Sequence, residues 1–190
     1  MYRQLHGILH HYVLFKNNTN NDESIELEKM KKVENIFDNF DLNQVVLYAH
    51  KPETVQALNQ FLLDRMFPST CTFQNQNPHE KSEKLREFQN FQYRYLVTDE
   101  NVSEMISFEG VSIVILFDMV SSVEEYRAYA GRAGHLGIRG LVVSFLEKEE
   151  DVNLLKNIED QGFCTVSELP ESIDARRYSK SFFHFPVCTY

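Results

Sequence analysis

Three groups of residues in this 190-residue chain have side chains or backbone suited to chemistry. The cysteines, Cys71, Cys164 and Cys188, lie far apart and form no Cys-x-x-Cys pair. Such spacing gives no disulfide framework, so reduced thiols in a cytosolic or nuclear setting are expected. His10 and His11 stand side by side, but no Cys or Asp cluster at ligand spacing accompanies them, so a metal site there has little support. The third group is the stretch from Tyr126 to Gly140. It sets Arg127, Arg132, His135 and Arg139 among Gly131, Gly134, Gly137 and Gly140. The glycines invite a phosphate-loop reading. That reading needs Gly-x-x-x-x-Gly-Lys, which occurs nowhere in the chain, and no Asp-Glu-x-Asp run accompanies it.

The bulk properties bound what these groups can serve. Hydrophobic residues make up 43% and charged residues 25%, which suits one ordinary domain and argues against wholesale disorder. No apolar run approaches the roughly 20 residues that cross a bilayer. The opening residues, Met1 to Gly7, lack the apolar core of a secretory signal. The expectation is a soluble, intracellular chain with no membrane partner. The net charge is −9 and the isoelectric point about 5.3. Neutralising phosphates supplies most non-specific affinity for nucleic acid, so tight independent RNA binding is disfavoured, although a local basic strip is compatible with the total.

The elements that must position these residues alternate. Apolar runs of strand length lie at Tyr12–Phe15, Val45–Ala49, Val111–Phe117 and Leu141–Leu146, with a weaker strand at Ser69–Phe73 and another strand at Tyr93–Thr98. Continuous runs such as Val45–Ala49 suit strands buried on both faces of a parallel sheet. Between them fall helical spacings. Ser24 caps a helix carrying Ile25, Met30, Val33 and Phe37. Pro52 opens one carrying Val55, Leu58, Phe61 and Leu62. Pro78–Asn90 packs through Leu85 and Phe88, and Val123–Ala130 and Glu149–Asp160 complete the set. This pattern predicts an α/β fold, a six-stranded, open, mostly parallel sheet with helices on both faces. Ligands of such sheets bind at the carboxyl ends of strands, here the loops after Ala49, Val97 and Phe117, with the helix around Arg132. Asn17–Glu23 reads as an exposed polar loop. Phe182, Phe183 and Phe185 form an aromatic cluster in a tail without periodicity, either docked on the domain or a partner-binding segment.

Four segments, in order, resemble one family. Asn43-Gln-Val-Val-Leu-Tyr-Ala-His-Lys51 resembles helicase motif IV, and Tyr95-Leu-Val97 sits where motif V begins. Val111–Met119, with Asp118 near its end, resembles the buried strand that follows, and Tyr126–Gly140 resembles motif VI. Val166–Asp174 is similar to the terminal segment of the DECD subgroup, the spliceosomal and mRNA-export helicases. The chain thus resembles the C-terminal RecA-like domain of a DEAD-box RNA helicase over nearly its whole length. The resemblance divides it into a linker remnant at 1–10, the RecA-like domain at 11–174 and the aromatic tail at 175–190. It implies ATP-dependent RNA helicase activity for an intact protein, with ATP and Mg held only together with an N-terminal RecA-like domain. It also implies mRNA export and splicing proteins as partners, and a nuclear location shared with the cytoplasm.

The departures are concentrated where that chemistry would occur. Motif VI normally reads His-Arg-x-x-Arg-x-Gly-Arg, whose arginines neutralise a transferring phosphoryl group. Those positions hold Ala128, Tyr129, Arg132, Gly134 and His135. Arg132 and Gly134 are retained for nucleotide binding, and His135 stands at the arginine-finger position without the bidentate fork. In motif V the arginine, glycine and ribose-binding aspartate become Glu104, Met105 and Ser107. The RNA-contacting threonine becomes Asp99, with Thr98 one residue away and turned to the opposite face. The Gln-x-x-Arg RNA contact becomes Pro78 and Lys81, which keeps charge and loses the planar fork. Lys81 and Thr98 are therefore the remaining RNA candidates.

Each residue also has a plain structural role open to it. Arg132 could pair with Asp118 or Glu125, Lys81 could be a solvated helix residue, and Tyr129 could be packing. Three functions follow: a degenerate domain acting as an interaction module, the C-terminal half of an active helicase, or an inhibitor competing for a helicase's partners.

Overall fold

The computed structural model describes residues 7–16, 24–39, 43–100, 110–134 and 140–171. The alternating pattern becomes β1 (Ile8–Leu14), α1 (Ile25–Asn39), β2 (Gln44–Tyr48), α2 (Pro52–Asp64), β3 (Ser69–Thr72) and α3 (Pro78–Gln89). It continues with β4 (Tyr95–Thr98), β5 (Val111–Leu116), α4 (Val123–Ala130), β6 (Gly140–Leu146), α5 (Glu149–Asp160) and β7 (Val166–Glu168). The segments 1–6, 17–23 and 172–190, with Glu104, Met105, Ser107 and His135, lie outside the described residues.

The strands form one sheet in the order β3-β4-β2-β5-β6-β1-β7, and every neighbouring pair is parallel. Among the described residues, seven strands replace the six expected. The seventh has three residues, of which only Val166 is apolar, and it is set by pairing with His10–Tyr12 rather than by any run of its own. β1 also begins four residues earlier than its apolar run, because His10 is buried beside β6 at 3% exposure.

Each strand divides its side chains between two layers. Val45, Leu47, Ile113, Ile115, Leu141 and Val143 face α1 and α2, meeting Val33, Ile36, Leu58 and Leu62. Val46, Tyr48, Val114, Leu116 and Val142 face the other way, with Leu85, Phe88, Tyr126, Leu155 and Ile158 from α3, α4 and α5. Adjacent strand residues point to opposite faces, which separates the histidine pair. His10 Nδ1 is hydrogen-bonded to the Tyr126 hydroxyl at 2.8 Å, while His11 Nδ1 meets Ser167 at 2.9 Å.

Local chemistry starts and stops the helices. Ser24 Oγ accepts the Leu27 N–H at 3.3 Å and Ser122 Oγ accepts the Glu125 N–H at 3.1 Å. Pro52 and Pro78 occupy first-turn positions, where a missing N–H costs nothing. At the end of α2, Phe67 N–H donates to Leu62 O at 3.0 Å and Met66 N–H to Leu63 O at 2.9 Å. At the end of α3, Gln92 N–H donates to Glu87 O and Phe91 N–H to Phe88 O, both at 3.0 Å. These are Schellman turns, whose left-handed residue is usually glycine. Here it is Met66 at φ 63° and Phe91 at φ 61°.

Candidate functional site

Thr98 ends β4 and is fully buried. Its Oγ1 lies 3.1 Å from Thr72 Oγ1 and accepts the Glu100 N–H at 3.3 Å. Across the following turn stands Lys81, in the first turns of α3, whose start is fixed by Asn77 Oδ1 accepting the His79 N–H at 2.9 Å. Lys81 is only 6% exposed, because it shares a helical stripe with Leu85 and Phe88. Its Nζ donates to the Glu100 carboxylate and, at 3.2 Å, to Gln74 O. It is therefore not the solvated residue that was one expectation. Asp99 accepts the Gln74 N–H at 2.8 Å. Burial pushes its carboxyl above the usual range, against that hydrogen bond.

Tyr129 lies over this group from α4. Its ring stacks on Tyr48, the last residue of β2, with centroids 4.0 Å apart and planes 13° apart. Burial, then a hydrogen bond and charge from Glu125, push its hydroxyl to about 12, with Asp99 and Glu100 adding to the effect. Burial also raises the Tyr48 hydroxyl, and the Arg132 charge opposes the rise. Arg132 Nε donates to Ala128 O at 3.3 Å in the turn that ends α4. Gly134, at φ 74°, donates its N–H to Val111 O at 3.0 Å, at the amino edge of the sheet. A Cβ on Gly140 would lie 2.5 Å from the Ala133 carbonyl, so glycine is required there for close approach.

The structure thus joins Lys81 and Thr98 through Glu100, and sets Arg132 and Gly134 beyond Tyr129. Asp118 pairs with Lys29, whose Nζ lies 2.8 Å from Asp118 Oδ1 and 2.6 Å from Glu147 Oε1. The other Asp118 oxygen accepts the His50 N–H at 2.9 Å. Burial opposes ionisation of Asp118, but Lys29 and that N–H outweigh it and hold the carboxyl below its usual range. These groups border a carboxyl-edge cleft of about 450 Å³ with Lys51, Lys148 and Asp151. Lys29, Glu100 and Glu147 were not anticipated. Lys29 had a signal, since it lies midway between Ile25 and Val33 at four-residue steps, on the buried face of α1.

An all-parallel sheet of this order, layered on both faces by helices, is RecA-like. The C-terminal domain of S. cerevisiae Dbp5, solved bound to Gle1 and IP6, matches it with TM-score 0.74. The identity is 18%, and the match covers 86% of this chain and 90% of that one. The E. coli DEAD-box protein SrmB, bound to regulator of ribonuclease activity A, matches with TM-score 0.73 at 18% identity, over 86% of this chain and 92% of that one. Residues 28–137 match the Helicase conserved C-terminal domain, and the chain belongs to that family, in the form found in DEAD-box RNA helicases. Curated relatives include DEAD-box ATP-dependent RNA helicase 15 of Arabidopsis thaliana, 32% identical over 177 residues. Another is ATP-dependent RNA helicase DDX39A of Homo sapiens, 30% identical over 174 residues. The matches cover 93% and 92% of this chain but only 39% of each relative.

Proposed function

We propose that this chain is a degenerate helicase C-terminal domain that serves as a protein-interaction module in mRNA processing and export, with the nucleus as its main setting. The observation that carries the reading is the Tyr129 ring stacked on Tyr48 where the family resemblance calls for an arginine. Around that stack stand Asp99, Glu100 and Glu125, and only Arg132 remains of the phosphoryl-binding arginines among the described residues. Carboxylates beside a triphosphate oppose the charge that must be stabilised during phosphoryl transfer. This set does not fit ATP and Mg on this chain alone. The relatives supply the partner class. The Dbp5 domain is solved bound to Gle1, and SrmB bound to another protein.

A second reading is the C-terminal half of an active helicase, completed by an N-terminal RecA-like domain. Retained Arg132 and Gly134 favour it, as does coverage of only 39% of the relatives. The test is to join or mix this chain with an intact first domain and measure RNA-stimulated ATP turnover. The degenerate reading expects turnover at least about a hundredfold below an ordinary family member. Comparable turnover would establish the second reading instead. A pull-down from nuclear extract should retain export or splicing components, and their absence removes the interaction role.

A further inference from the structure

We infer that Glu100 acts as an internal substitute for a nucleic-acid phosphate on Lys81, so that the domain's strand-binding face is occupied by its own carboxylate. This rests on the reading above of a degenerate domain and on the net charge of −9, which disfavours tight RNA binding by the chain alone, and it gives a residue-level cause.

Lys81 is the cation that meets the Thr98 turn, through Glu100. Its side chain is 8% exposed and that of Glu100 21%. An ammonium offers three donors in a compact point charge. Here one meets the Glu100 carboxylate and another meets Gln74 O at 3.2 Å. The carboxylate is delivered by the fold rather than by chance encounter, because Thr98 Oγ1 holds the Glu100 N–H at 3.3 Å. Thr98 is in turn fixed by Thr72 at 3.1 Å. The Glu100 side chain therefore leaves a pinned backbone and lands on the lysine.

Asp99 and Glu100 set two carboxylates beside Lys81. A phosphodiester approaching Lys81 must displace Glu100 and then sit beside Asp99, whose carboxylate is held in place by the Gln74 N–H at 2.8 Å. Charge-assisted hydrogen bonds of a largely dry lysine are the strong kind, so a mobile phosphate does not outcompete the tethered one. Removing the Glu100 carboxylate frees Lys81 to swing on its four-carbon stem toward solvent. The ligand it then fits is the backbone of single-stranded RNA, a repeating singly charged anion.

The experiment is fluorescence anisotropy of the full chain with a labelled oligouridylate of roughly a dozen nucleotides at about 50 mM salt. Glu100→Ala is expected to tighten binding about tenfold and to steepen the salt dependence by about one counterion. Lys81→Ala added to it should abolish both gains. A folded Glu100→Ala chain that binds within about twofold of the unaltered protein overturns the inference. Should Glu100→Ala melt below the assay temperature, Glu100→Gln, which keeps the shape and loses the charge, is read by the same criteria. The unaltered protein separates the two claims. Micromolar binding by it overturns the charge argument for weak RNA binding itself. Weak binding that Glu100→Ala leaves unchanged overturns only the role given to Glu100.

Discussion

His10 is a titratable group sealed inside the fold. Burial, then the charge of neighbouring His11, lower its pKa from the usual 6.5 to about 4. Its Nε2 is buried without a hydrogen-bond partner among the described residues. The unfolded chain therefore binds a proton between pH 6.5 and 4 that the folded chain refuses. Stability from this residue is complete above pH 6.5 and falls as pH drops toward 4, by about 3 kcal/mol over the window. Urea unfolding at stepped pH checks this. His10→Gln, which cannot titrate, should flatten the slope in that window. The sequence marked His10 as chemically capable, but its burial followed from partners more than a hundred residues away, Tyr126 among them. Lys29 and Lys81 are legible from helical position alone. Both fall on apolar helical stripes, and a lysine at such a position is buried with a carboxylate rather than solvated. Which carboxylate answers each lysine is set by the sheet order, and no local spacing encodes it.

At the scale of elements, most strands and helices were legible because β2, β5 and β6 are continuous apolar runs and α1 to α4 carry a Ser or Asn cap or Pro at their starts. β7, with only Val166 apolar, borrows its structure from β1. The helix ends carry the opposite lesson. Met66 and Phe91 occupy left-handed positions where a side chain costs about 1–2 kcal/mol and glycine costs far less. Met66 is 89% exposed, so nothing in its surroundings offsets that cost. Met66→Gly should stabilise the domain by about 1 kcal/mol, less the extra unfolded-state entropy of glycine, and raise the melting temperature by a few degrees. Phe91 differs, because its ring packs closely over Gly110 at the start of β5. Phe91→Gly should therefore gain less or lose stability, and thermal melts of the two variants side by side test the contrast.

For the whole molecule, a net charge of −9 sets the long-range field. The unaltered protein should pass through a heparin column at about 50 mM salt and be retained on an anion exchanger. Retention on heparin would show a basic face strong enough to overcome the total. The sheet order has another consequence, for the way the chain comes together. β1 lies between β6 and β7, so the strand beginning at residue 8 pairs with one beginning at residue 140 and another at residue 166. On a ribosome β1 must wait, with Leu9 and Val13 uncovered, until β6 at residue 140 has been made. The last strands then close over the first. Such long-range closure slows folding and leaves β1 unpaired until β6 is available.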